Sequence, residues 1–248
     1  MKLPMQDQIL SRRKFIGGAA LGMLALSGCA STPAPTPRPI GYRPEPVPEP
    51  AFGPYADMYS ARFDGEFELP AIPYQRLEQR YLRQIVRDPT GEAPGTVVVD
   101  VANHFLYLVR GGGEAIRYGV GLGREGFAWS GRAIIEWKQH WPRWFPPADM
   151  IARQPDLEKY KAIQIPGTNN WEGGMAAGIN NPLGARALYL YQDGVDTLYR
   201  IHGSPEWWTM GKSVSSGCVR MMNQDIVDLY DRVPEKSPVL VTNGIPTV

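Results

Sequence analysis

Thr96–Arg110 reads TVVVDVANHFLYLVR. Two runs of β-branched and aromatic residues flank a short polar break, the composition of strands meeting at a turn. The texture continues downstream in AIRYGVGLG (115–123), AIIEWKQHW (133–141), RALYLYQ (186–192), TLYRIHG (197–203) and PVLVTN (238–243). Gly111-Gly112-Gly113 and Gln192-Asp193-Gly194 supply turns between strands. One segment switches to helical spacing: Ile226, Leu229, Tyr230 and Val233 in NQDIVDLYDRV, stopped by Pro234. About seven strands, no internal repeat and roughly 150 residues suit one well-buried core. The expectation is a mostly-β fold, sandwich or barrel-like, with a few short helices over residues 95–248.

Upstream, residues 51–94 read as an N-terminal extension with one amphipathic helix. Tyr74–Val86 (YQRLEQRYLRQIV) spaces Leu77, Tyr81 and Ile85 four apart, with Leu82 beside them. Residues 29–50 form a tether. Eight of the twenty residues from Ser31 to Pro50 are proline, which excludes helix and central strand and favours an extended chain.

Residues 1–28 read as an export signal: a positive start, an apolar run from Phe15 to Leu26, and a small-residue end. The run is too short for a permanent bilayer span. Ser11-Arg12-Arg13-Lys14-Phe15 resembles a twin-arginine signal. Leu26-Ser27-Gly28-Cys29 is similar to a lipoprotein cleavage box, which would make Cys29 the lipidated first residue, held at a membrane by its acyl chains. Ala30 leans toward the outer membrane of a periplasm. Removing residues 1–28 takes away four basic residues and one acidic residue, leaving 22 basic and 24 acidic, a net charge near −2. No basic block remains for nucleic acid.

Two cysteines, Cys29 and Cys218, cannot build a disulfide framework. If Cys29 carries lipid, Cys218 is the one free thiol of an exported protein and needs a reason to persist; a Cys29–Cys218 disulfide is the bland alternative. Cys218 lies 16 positions after His202 in RIHGSPEWWTMGKSVSSGCVRM (200–221). A histidine partner shifts a thiol toward thiolate, the nucleophilic form. Gly217 lets backbone amides approach a reacting carbonyl and stabilise an oxyanion. Arg220 offers a planar fork for a substrate carboxylate. Ser215 and Ser216 read as loop hydrogen-bonders beside substrate rather than nucleophiles, since no Gly-x-Ser-x-Gly elbow surrounds them.

His202-Gly203, the spacer, and Ser215-Ser216-Gly217-Cys218-Val219-Arg220-Met221 together resemble the signature of the L,D-transpeptidase catalytic domain family (the YkuD type). Asp225 on the following helix fits. Val98-Val99-Asp100 with Leu106-Tyr107-Leu108, and Asn181-Pro182-Leu183-Gly184 with Ala187-Leu188-Tyr189-Leu190, extend the likeness over residues 95–244. Two departures stand out. Ser216 replaces a common family histidine, and Phe127–Trp171 is long and aromatic where relatives often have a short turn.

The resemblance implies Cys218 as nucleophile and His202 as its base. The Gly203 carbonyl would orient His202, with the backbone of Gly203, Gly217 and Cys218 serving the site. The substrate would be a peptidoglycan tetrapeptide stem, losing D-Ala to give a thioester that passes to an amine, as a 3-3 cross-link or a protein anchor. It implies no metal or organic cofactor, and acylation of Cys218 by carbapenems. Rival readings are an L,D-carboxypeptidase or hydrolase of the same family, a non-catalytic wall-binding lipoprotein, and a thiol sensor. A zinc site from His104, His140, His202 and Cys218 lacks any close ligand pair; His104 and His140 read as packing or surface residues. Trp207, Trp208 and Met210 read equally as lid or core, and Trp137, Trp141 and Trp144 as possible walls of a sugar or peptide groove.

Overall fold

The computed structural model describes residues 53–123, 130–168, 171–215 and 217–245. The signal peptide, Cys29, the tether and Ser216 lie outside the described residues. Nine strands form one sheet: β1 (Gln84–Arg87), β2 (Val97–Asp100), β3 (Phe105–Val109), β4 (Glu114–Gly119), β5 (Gly131–His140), β6 (Arg186–Gln192), β7 (Val195–Ser204), β8 (Val219–Met222) and β9 (Pro238–Thr242). Their order is β8-β7-β6-β5-β9-β2-β3-β4-β1, antiparallel except for the pairs β7–β8 and β9–β2.

The sheet curls until its ends share a core. Tyr118 of β4 and Val219 and Met221 of β8, from opposite sides of the strand order, pack with Leu188, Ile201 and the Asn223–Arg232 helix in one buried cluster. Gly121, just past β4, exchanges two backbone hydrogen bonds with Arg220 of β8, at 2.9 and 2.8 Å. The result is the mostly-β, barrel-like domain with few short helices that the strand pattern implies. The β6–β7 hairpin turns at Asp193 (φ 51°) and Gly194 (φ 79°), two left-handed residues whose twist matches that of the strands they join.

Strands β2 and β3 are buried throughout. Val97, Val99, Leu106 and Leu108 face the first core. Val98, Phe105, Tyr107 and Val109 face a second core, roofed by Met58, Tyr59, Ile72, Tyr81, Leu82 and Val86 of the extension. Burial on both faces explains why these strands are continuous apolar runs and not alternating ones.

The amphipathic helix expected over Tyr74–Val86 does not form. Two 3₁₀ turns, Tyr74–Arg76 and Gln79–Tyr81, lead into β1, which pairs antiparallel with β4. An isolated helix of this length is marginal in water. The extended path instead gains ladder hydrogen bonds and buries Tyr81, Leu82, Ile85 and Val86. Four-residue spacing of apolar side chains served a roof, not a helical face.

The extension is also fastened by buried polar contacts. Asp64 takes a two-pronged ion pair from Arg186 of β6, at 2.6 and 2.7 Å, which holds its carboxyl below the usual carboxylate range. The Tyr59 hydroxyl donates to Asp225 at 3.3 Å at the start of the helix, and Arg83 pairs with Asp228 at 2.6 Å. Arg186 is almost fully enclosed, so losing Asp64 strands a charge. Asp64→Ala is expected to lower the unfolding free energy by roughly 3 kcal/mol, read from urea denaturation; a change within about 0.5 kcal/mol would mean water reaches Arg186.

Candidate active site

Strands β7 and β8 run parallel, with Ile201 paired to Val219, His202 to Arg220 and Gly203 to Met221. Ile201, Val219 and Met221 are fully buried in the first core. Successive strand residues point to opposite faces, so His202 and Arg220 project from the other side of the sheet. Cys218 immediately precedes β8, one step before the Ile201–Val219 pair, beside Arg200, whose backbone hydrogen-bonds the thiol. Thiol and imidazole therefore occupy the same face of two neighbouring strands, two residues apart in register. The sequence shows no strand pattern after Cys218. The four-residue strand β8 there is too short to leave a periodicity of its own.

Local packing shapes both residues. Gly203 faces the helix, and a side chain there would overlap Asn223 Oδ1 and crowd Ile226. Asn223 is itself held by the Ala185 N–H, which donates to its Oδ1 at 3.0 Å. Gly184 (φ 61°) lies against the same oxygen. Asn181, at the head of the Asn181–Gly184 turn, donates to the carbonyls of Pro142 and Ala176 at 3.0 and 2.9 Å and accepts from the Leu183 N–H at 2.9 Å. Gly217 has φ 132°, a backbone state suited to glycine, and abuts the Tyr199 ring. The motif glycines thus set backbone paths: Gly203 lets β7 lie close to the helix, and Gly217 turns the chain into Cys218.

His202 is 5% exposed. Burial drives its pKa down to about 4, aided by the charges of Arg220 and Arg200 and opposed by the Gly203 carbonyl. Its Nδ1 lies 2.6 Å from that carbonyl oxygen. A carbonyl can only accept, so Nδ1 carries the proton and Nε2 is the lone-pair nitrogen. Burial pushes the Cys218 thiol up, while the Arg200 backbone and the Arg200 and Arg220 charges pull it back. Burial thus works against the thiolate that a histidine partner favours, and against the imidazolium. The protein interior disfavours both charged forms.

Arg220 pairs with Glu206 of the intervening loop. Arg200 is gripped by Asp196 through two hydrogen bonds of 2.7 and 2.8 Å and lies over the Tyr189 ring, 4.5 Å from its centroid. None of Glu206, Asp196, Arg200 or Asn223 was singled out from sequence, and Tyr189 appeared only as part of a strand motif. Only strand register brings them beside the Cys–His pair. Ser215 ends a short strand, Ser213–Ser215, paired with Leu122–Gly123.

The remaining candidates sort as follows. His104 Nε2 lies 3.0 Å from Ser213 Oγ, and His140 meets the Tyr230 ring edge-on. Among the described residues, no group of three or more His, Cys, Asp or Glu is placed to hold a metal. Met210 is buried and Trp208 is half exposed. Trp144 is buried, while Trp141 packs on Phe67 with ring centroids 4.3 Å apart. Trp137 stacks on Tyr189 and remains exposed.

Residues 94–241 match the family model of the L,D-transpeptidase catalytic domain. The chain is 32% identical over 144 residues to the probable L,D-transpeptidase YbiS of Escherichia coli K12, covering 56% of this chain and 42% of that protein. It is 31% identical over 141 residues to the probable L,D-transpeptidase ErfK/SrfK of Salmonella typhimurium, covering 56% and 41%. The chain thus spans less than half the length of these curated relatives. A crystal structure described as a probable carnitine operon oxidoreductase from Brucella melitensis is 43% identical, over 65% of this chain and 94% of that one, with a TM-score of 0.44. That description is of the Brucella protein alone. With a family match running from just before β2 to Val241 of β9, the chain belongs to the L,D-transpeptidase catalytic domain family.

Proposed function

We propose that the protein is a peptidoglycan L,D-transpeptidase with Cys218 as nucleophile and His202 as base. The observation that carries this reading is the placement of thiol and imidazole on one face at two parallel strands, with Nδ1 engaged by the Gly203 carbonyl, which leaves the lone pair on Nε2. The donor is a tetrapeptide stem. Cys218 sulfur attacks the carbonyl of the third residue while its proton passes to Nε2. The backbone N–H groups of Gly217 and Cys218 take the developing oxyanion. As the tetrahedral centre collapses, the C–N bond to D-Ala breaks and His202 returns the proton to the departing amine. A thioester remains. An amine of a second stem, or of a protein, then attacks it; His202 takes the amine's proton and the thiol is released. Water in place of the amine would give a carboxypeptidase. No step draws on a metal or cofactor. Arg220 and the Ser215-Ser216 segment contact the donor's polar groups; for Arg220 this means releasing Glu206.

Starting from a neutral pair has a kinetic reason. A desolvated thiol and imidazole exchange a proton only as the sulfur commits to the carbonyl, so the reactive ion exists mainly in the transition state, where stabilisation accelerates the step. The reading extends to cellular placement. Residues 1–28 would export the chain, lipid on Cys29 would hold it to a membrane facing the periplasm, and the proline-rich tether would let the domain reach the wall.

Purified protein incubated with disaccharide-tetrapeptide should yield cross-linked dimer, or tripeptide if water wins, by mass spectrometry. Neither should form with Cys218→Ala, and unchanged substrate with the wild type would end the enzyme reading. Meropenem should add its mass to the wild type and not to Cys218→Ala. His202→Gln should slow that acylation by about 10² to 10⁴, and the wild-type rate should stay level from about pH 5.5 to 8, where His202 is neutral and able to take the thiol's proton. Nitrogen-15 NMR should find His202 neutral and protonated on Nδ1 down to about pH 5, given its pKa of about 4; an imidazolium at neutral pH would contradict the mechanism.

A further inference from the structure

The face that bears Cys218 and His202 continues across the sheet in rows. Trp137 of β5 pairs with Tyr189 of β6, and Tyr189 with Arg200 of β7. Arg200 in turn stands beside Cys218. The next row on the same face is Gln139, Ala187, His202 and Arg220. The first row is built as a rigid stack. The Trp137 and Tyr189 rings lie 3.5 Å apart and 10° from parallel. The Arg200 guanidinium covers the Tyr189 ring and is clamped by Asp196 and by the Tyr199 carbonyl. Yet Trp137 is 37% exposed, the outer end of an ordered aromatic row that begins at the nucleophile. The Tyr189 hydroxyl is 3.0 Å from Gln139 Oε1 and donates to it, leaving the Gln139 amide nitrogen as a donor on this face.

We propose that Trp137, backed by Tyr189 and Arg200, is a platform for the N-acetylated sugar that heads the donor stem. The inference rests on the transpeptidase reading above. Its first support is length. Three strand spacings separate Cys218 from Trp137, about 14 Å. Between the reacting carbonyl and the sugar lie three stem residues, which reach about 10–11 Å when extended. The side-chain linkage of the second residue and the lactyl ether supply the rest. Its second support is chemistry. A pyranose ring has an apolar face of C–H bonds that lies flat on an indole. An acetamido carbonyl beside it finds a donor in Gln139. A stack already held by Asp196 loses little freedom when the sugar lands.

The test compares disaccharide-tetrapeptide with the same tetrapeptide lacking sugar. Binding to Cys218→Ala protein is measured by calorimetry, so that neither donor turns over. The sugar should strengthen binding about tenfold, and Trp137→Ala in that background should erase the gain. Trp137→Phe should keep part of it. A sugar gain that survives Trp137→Ala, or no gain in the parent, overturns the platform. Uptake of meropenem by the single Trp137→Ala variant checks that the site remains folded. Wild-type turnover separately decides the transpeptidase reading, so failure of one inference is distinguishable from failure of the other.

Discussion

The parallel pairing of β7 with β8 is the constraint on which the site depends. Ile201, Val219 and Met221 are driven into the core, and their burial fixes the register of the two strands. A slip of one residue would send His202 or Cys218 inward and the aliphatic residues outward. Parallel strands require a crossover connection. Here the crossover is the loop from Pro205 to Gly217, which also carries Glu206 back to Arg220. The spacing of 16 residues between His202 and Cys218 is therefore the length of a path between adjacent strands.

Burial then sets the chemistry. Taking both groups out of water raises the thiol and lowers the imidazole, while the two arginines on the same face soften the first effect and add to the second. Each arginine is itself paired with a carboxylate, Arg200 with Asp196 and Arg220 with Glu206, so the face carries little net charge. The helix beneath shows the same economy. Asp225 is fully enclosed and, against its usual acidity, pushed up to about 7 by burial, beside Arg83 and the Tyr59 hydroxyl. His202 favours folding less as pH falls from its ordinary range toward 4. Asp225 favours it less as pH rises toward 7. Over the same window the two dependences oppose each other.

The extension belongs to this body as a structural layer. It roofs the outer face of β2 and β3 and ties Asp64 and Tyr59 to elements that flank the site. Its misreading as a helix is instructive. Leu77, Tyr81, Leu82 and Ile85 satisfy a helical template, but two 3₁₀ turns and a strand satisfy it too, once a second core lies beneath them. Local spacing records which residues want burial and says little about the path that buries them.

Seven main strands, the Asn223–Arg232 helix and the Cys–His motif were legible in the chain, because each is written in neighbouring residues: β-branched runs, turn glycines, a 3.6-residue period, a thiol next to glycine. Strand β8, the strand made of Gln84–Arg87, and the Glu206, Asp196, Arg200 and Tyr189 contacts were not. They arise from pairings between segments far apart in sequence, which local pattern cannot encode. Residue order thus determined which groups could do chemistry and which surfaces had to be hidden. Only the tertiary structure decided that the thiol and imidazole share a face, that burial disfavours the charged form of each, and that an aromatic row extends from them, because register and burial are properties of the packed sheet and of no single segment.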